Sequence, residues 1–163
     1  MYRKILLPLD GSELAHRAMR HAVEIARLAN AELVLLQVVE SEAQMIAQTT
    51  PATIEPMPGT GSVSAEVVQE VIAEQRRSAT ANLEASAATV RAAGVKNVSI
   101  DLAEGSAGEA IVDAAKRLGC DLVVMATHGR SGIKRAILGS VADHVARNTP
   151  GIPVLLVHPE VMP

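Results

Sequence analysis

The sequence predicts an α/β domain: a doubly wound parallel sheet with helices on both faces. Two observations carry that prediction. Apolar runs alternate with segments of helical period in the order β-α-β-α-β-α-β-α-β, the pattern of parallel strands joined by right-handed crossovers. The apolar runs are also continuous rather than alternating, as expected of strands buried on both faces.

Arg3 to Leu9 reads as the first strand, ending in Asp10-Gly11-Ser12 with Ser12 as a helix N-cap. Leu14, Ala18, Ala22, Ile25, Ala26 and Ala29 then recur at helical spacing, and Asn30 closes that helix. Leu33 to Val39 is the second strand. Glu40 to Val63 holds Pro51, Pro56, Pro58, Gly59 and Gly61 and reads as one long loop, mobile or partner-binding. The helical period returns from Ser64 to about Ala92, with Val68, Ile72, Ala79, Leu83 and Val90 on one face, and Gly94 ends it. Val98 to Leu102 is a third strand with Ser99 and Asp101 facing outward. Ser106-Ala107-Gly108-Glu109 matches a capping box, opening a helix through Ile111, Ala114, Ala115 and Leu118 that Gly119 stops. Leu122 to Ala126 is the fourth strand. A last helix starts near Gly139-Ser140 and carries Val141 and Val145, before Pro150 and Pro153 lead into a fifth strand, Val154 to Val157.

The 163 residues suit one domain spanning 1–163, and 48% hydrophobic content excludes a disordered chain. No apolar stretch reaches the about 20 residues of a membrane helix. Ile5-Leu6-Leu7 is cut short by Pro8 and Asp10, too short for a secretory signal, so the expected location is cytoplasmic. The lone Cys120 fits a reducing compartment. Net charge is −3, Phe and Trp are absent and Tyr2 is the only aromatic, which argues against single-strand nucleic-acid binding and against a sandwiched flavin. His16, His21, His144 and His158 are scattered and no Cys pair exists, so a structural zinc site has no support.

The stretch Ala126-Thr127-His128-Gly129-Arg130-Ser131-Gly132, followed by Gly139-Ser140, carries the functional signal. A buried strand breaks into a Gly-rich turn and re-enters a helix, and such turns let backbone N–H groups crowd around a phosphate. If the first and fourth strands are neighbours, this turn and Asp10-Gly11-Ser12 form one crevice at the reversal of winding. Asp10 is then placed to accept from ribose hydroxyls or to hold a cation; capping or shaping its own turn is an equal alternative. Arg130 lies inside the glycine segment and is a candidate to neutralise phosphate charge, whereas Lys134 and Arg135 read as solvated. His128 reads as a turn residue, because no Ser-His-Asp or Cys-His set surrounds it. The chain has neither G-x-x-x-x-G-K-[ST] nor a G-x-G-x-x-G after its first strand, which excludes a standard P-loop and a dinucleotide fingerprint.

These residues resemble the universal stress protein family, in its ATP-binding branch. The resemblance covers nearly the whole chain, through Lys4-Ile5-Leu6-Leu7-Pro8-Leu9-Asp10-Gly11-Ser12, Leu35-Leu36-Gln37-Val38-Val39 and Asp121 to Ser140. That branch carries a G-x2-G-x9-G-[S/T] pattern, which Gly129, Gly139 and Ser140 fit, while Ala126 replaces the first glycine. The resemblance implies a Rossmann-like sheet in the order 3-2-1-4-5, of the adenine nucleotide alpha hydrolase type. It implies that Pro8, Leu9 and Asp10 lie along an adenosine, with Val38 meeting adenine through its backbone. Ala126, Gly129 and Arg130 would line ribose and phosphates, and Gly139, Ser140 and Val141 would hold the phosphate tail. ATP with Mg2+ is the implied ligand, AMP or cyclic AMP being served by the same contacts, and Val154 to Val157 the implied homodimer edge. The function expected is nucleotide-dependent stress response or regulation, with no catalytic residue assigned. The alternatives are a slow ATPase or phosphotransferase, with Asp10 holding the cation and His128 or Arg130 assisting, and a chaperone-like docking module acting through the 40–63 loop.

Overall fold

The structure is a computed structural model that describes residues 1–49, 65–127 and 138–158. Among these, five parallel strands form one sheet in the order β3-β2-β1-β4-β5. The strands are β1 (Lys4–Pro8), β2 (Glu32–Val39), β3 (Val98–Glu104), β4 (Leu122–Ala126) and β5 (Val154–Val157). The helices are α1 (Glu13–Ala29), α2 (Glu42–Thr49), α3 (Ala65–Ala92), α4 (Ala107–Arg117) and α5 (Ser140–Asn148).

Alternate residues of each central strand serve opposite layers, which is why their sequence is apolar without a break. Ile5, Leu7, Leu33, Leu35, Leu122 and Val124 pack with Ala18, Ala22 and Ala26 of α1 and Leu83, Ala87 and Val90 of α3. Leu6, Val34, Leu36, Val123 and Met125 pack with Ile111, Val112 and Ala115 of α4 and Ala142 and Val145 of α5. Alanines on the buried stripe of α1 bring its backbone close to the sheet. Truncating one of the fully buried leucines, such as Leu35, is expected to cost about 2–5 kcal/mol. On the second layer, α4 and α5 approach so closely that a Cβ on Gly108 would stand 2.9 Å from His144 Cδ2.

The expected loop from Glu40 to Val63 is corrected over its first part. Glu42–Thr49 is helical, and the cause is a capping box at Ser41 and Gln44. Ser41 N–H donates to Gln44 Oε1 at 2.9 Å, and Gln44 N–H donates back to Ser41 Oγ at 3.4 Å. The rest of that expectation, residues 50–63, lies outside the described residues. The box expected at Ser106 and Glu109 does not close: Ser106 holds the N-cap position of α4, but its hydroxyl accepts no cap hydrogen bond.

Strand β3 is an edge strand and runs to Glu104, two residues beyond expectation, because β2 pairs with it as far as Val39↔Glu104. Its Ser99 and Asp101 do not simply face water. Ser99 Oγ donates to Glu32 Oε1 at 2.7 Å, and Asp101 Oδ2 accepts from Arg117 at 2.6 Å, while the apolar Ile100 is 37% exposed.

Candidate functional site

Winding reverses between β1 and β4, so the carboxyl ends of these two strands border the crevice. The reason they part is local. Leu9 N–H points to β2, reaching Leu36 O at 2.8 Å, whereas Lys4 C=O points to β4 and accepts from Asp121 N–H at 2.9 Å. Orientation alternates along a strand, so Pro8 would aim its N–H at β4. It has none. The β1–β4 ladder accordingly covers Ile5↔Leu122 and Leu6↔Val123, while the β1–β2 ladder continues to Pro8↔Leu36.

Past β1 the chain turns through Asp10, Gly11 and Ser12. Gly11 has φ +78°, a left-handed conformation that other residues adopt only with strain. Asp10 Oδ1 accepts from Ser12 N–H at 3.0 Å, and Ser12 Oγ accepts from Ala15 N–H at 3.1 Å. The N-terminus of α1 is thus closed by its own side chains, as the turn-shaping reading of Asp10 expects. One carboxylate oxygen of Asp10 makes that contact.

The N-terminus of α5 is built in the opposite way. Its N-cap is Gly139, with no side-chain cap hydrogen bond, so among the described residues no capping side chain meets the first-turn N–H groups. Those groups, with the helix dipole, make a positive end. Thr127 fixes where that end lies. The residue is fully buried, its N–H donates to Val157 O at 3.0 Å, its Oγ1 lies 3.3 Å from the same carbonyl, and its own carbonyl accepts from Gly139 N–H at 2.9 Å. One threonine therefore ties the end of β4 to β5 and to the start of α5. Sequence reasoning saw Thr127 as a turn residue; the signal available was a β-branched hydroxyl directly after a buried apolar run.

The structure places Pro8, Leu9, Asp10, Val38, Ala126, Gly139, Ser140 and Val141 together along this carboxyl edge. Counting onward from Pro8↔Leu36 puts Val38 level with Asp10, and counting from Leu6↔Val123 puts Ala126 level with Leu9. Leu9 packs against the α1/α3 layer, and Val38 and Val141 against the α4/α5 layer. Ala126 does not have the positive φ that would demand glycine, since Asn30 alone among described non-glycine residues does. By strand alternation it shares a face with Leu122 and Val124, the face of α1 rather than of α5. Its β5 partner Val157 packs on that same face. Gly129 and Arg130 lie outside the described residues, as do His128, Gly132, Lys134 and Arg135.

Perturbed titrations lie at the other edge of the sheet. The hydrogen bond from Ser99 and the ammonium of Lys4 hold Glu32 below the usual carboxylate range. Burial pushes Asp121 up, but the N–H groups of Lys4 and Arg3 outweigh it and leave the carboxyl below its ordinary value. Burial pushes the Cys120 thiol up to about 11, so it is no nucleophile at neutral pH. Among the described residues no group of three or more His, Cys, Asp or Glu side chains could hold a metal, and no helix is long and apolar enough to cross a membrane.

Comparison with known proteins agrees with this architecture. Residues 1–158 match the universal stress protein family. The chain is 33% identical over 157 residues to universal stress protein MJ0531 of Methanocaldococcus jannaschii, covering 96% of this chain and 82% of that one. It is 29% identical over 157 residues to YxiE of Bacillus subtilis, covering 96% and 99%. The solved structure of MJ0577 superposes with a TM-score of 0.80 at 27% identity, covering 99% of both chains. A universal stress protein crystallised in complex with cAMP gives a TM-score of 0.67 at 26% identity, covering 98% and 99%. On the sheet order, the parted central strands and these likenesses together, the chain belongs to the universal stress protein family.

Proposed function

We propose that the carboxyl edge binds an adenine nucleotide, with ATP and Mg2+ as the ligand, and that occupancy sets the conformation or partner choice of a stress-response protein. The observation that carries this reading is the uncapped α5 N-terminus, held by Thr127 against the parted ends of β1 and β4. The related structure containing cAMP supports an adenine ligand. The first-turn N–H groups at Ser140 and Val141, with Gly139 adding no side chain, would take the phosphate tail. Pro8, Leu9, Asp10, Val38 and Ala126 would line the nucleoside, and Gly129 and Arg130 would complete the phosphate side.

Asp10 has a carboxylate oxygen beyond the one engaged by Ser12 and is placed for a ribose hydroxyl or the cation. Mg2+ takes oxygen donors, often one or two carboxylates with phosphate oxygens and waters, and Asp10 fits that set. When bound, the cation would neutralise phosphate charge. Equilibrium binding of labelled ATP to the purified protein tests the reading. Saturable binding that strengthens with magnesium is expected, and no binding at millimolar ATP and magnesium overturns it.

A second part of the proposal concerns assembly. β5 pairs with β4 on one side and is otherwise an edge, with Leu155 38% exposed. An apolar edge of free backbone groups favours a second strand, so a homodimer through Val154–Val157 is proposed. Leu155→Arg should then shift the sedimentation coefficient from dimer to monomer. A single 1–163 domain in the cytoplasm completes the reading, in keeping with one sheet and a buried free thiol.

A further inference from the structure

Helix α3 has 28 residues, about 42 Å at the standard rise, and outreaches the strands it packs on. It runs back from the carboxyl end of β2 to the start of β3, so its early residues lie toward the carboxyl edge. Arg76 fixes the level: its guanidinium pairs with Glu104, the last residue of β3, which is in register with Val39 of β2. The residues before Arg76 therefore rise beside the end of β2, and α2 packs on α3.

The inward stripe of α3 is apolar at Val68, Ile72, Ala79 and Leu83, and Gln75 falls inside it at helical spacing. Its Oε1 is buried and has no hydrogen-bond partner, alone in this among the buried side-chain polar atoms of the described residues. A buried acceptor left unmade is destabilising, and any apolar residue would fill the stripe without that penalty. A donor from outside the fold, a water or a ligand group, would complete the Gln75 carbonyl. On the α1/α3 side of the sheet it stands near the level of Val39, the last residue of β2 and one residue past Val38, whose backbone is where the base of the proposed nucleotide is expected.

We propose that Gln75 is a base-reading residue, its side-chain carbonyl accepting a hydrogen bond from an exocyclic amine of the bound nucleotide's base. This rests on the nucleotide reading above and adds to it a reason to prefer amine-bearing bases. The residue is one that the glycine pattern and the strand ends do not single out.

The test pairs deletion of the acceptor with deletion of the donor. ATP and purine riboside triphosphate, which lacks the amine but keeps the ring nitrogens, are titrated into the wild type, Gln75→Met and Gln75→Glu. Gln75→Met should reduce the preference for ATP about 10-fold, through weaker ATP binding with the analogue's affinity unchanged. It should also melt no lower than the wild type without ligand. Gln75→Glu keeps an acceptor and should keep the preference. An equal preference in the wild type and Gln75→Met overturns the proposal, as does loss of preference in Gln75→Glu. If ATP binds the wild type and only these ratios fail, the base-reading role alone falls; if the wild type binds neither ligand, the nucleotide reading falls with it.

Discussion

The two edges of this sheet are finished in opposite ways. At the amino edge, charged side chains are tied into the fold: Lys4 Nζ to Glu32 Oε2 at 3.1 Å, Ser99 to Glu32, and Asp121 to the N–H groups of Arg3 and Lys4. These contacts join β1, β2, β3 and the start of β4. At the carboxyl edge, Pro8 ends the β1–β4 ladder, Gly139 leaves α5 without a side-chain cap, and Gln75 Oε1 has no partner. Even the two helix starts there differ, because α1 is capped by Ser12 and α5 is not. The contrast teaches where to look for function. Satisfied polar groups hold a fold together, and unsatisfied ones placed on a rigid frame are what a ligand can complete.

Four substitutions press on that contrast, from the largest expected effect to the smallest. Ser140→Asp puts a carboxylate at the open start of α5. ATP affinity should fall on the order of 100-fold by like-charge repulsion, while the melting temperature holds or rises, since an acidic first turn suits the helix dipole. Unchanged affinity in calorimetric titration would remove α5 from the site. Asp10→Asn keeps an oxygen for Ser12 N–H but removes the charge. About 10-fold weaker binding of magnesium-ATP with unchanged melting is expected; equal affinity would leave Asp10 as a turn-former only.

The amino edge should respond in stability and not in binding. Asp121→Asn is expected to cost about 1 kcal/mol near neutral pH, at the low end for a charged acceptor because the carboxylate is a third exposed. Its folded pKa is lowered, so its stabilisation is present above the ordinary carboxylate range and is lost as pH falls through the folded value. Urea unfolding of both proteins across acidic pH should show the gap closing, with ATP affinity at pH 7 unaltered. The smallest effect is reserved for Ala126→Gly, which restores the family's glycine. Because Ala126 needs no positive φ and faces the α1 layer, affinity should stay within about 2-fold and stability should drop by about 0.5–1 kcal/mol. A larger gain in affinity would show its methyl to crowd the ligand.

The strands were legible because continuous apolar runs have one reading when both faces are covered. The α3 stripe was equally legible, and Val68, Ile72, Ala79, Leu83 and Val90 are all buried. What failed did so by competition between local signals. Prolines and glycines beyond residue 50 masked the Ser41–Gln44 capping box, and the same kind of motif at Ser106 is present without its hydrogen bond. Gln75 was passed over inside a stripe judged by its apolar neighbours. Thr127 was passed over inside a glycine-rich turn.

By itself the sequence determined the order of strands and helices along the chain, the glycine at Gly11, the helix starts at Ser12 and Gly139, and the two polar turns that end β1 and β4. These depend on contacts within a few residues, so local patterning suffices to specify them. Tertiary structure decided that β1 and β4 lie side by side, which layer Ala126 faces, that Pro8 withholds its hydrogen bond from β4 rather than β2, that Thr127 anchors α5, and that Gln75 Oε1 is buried without a partner. Each of these depends on which strand or helix lies alongside, and that neighbour is distant in the chain.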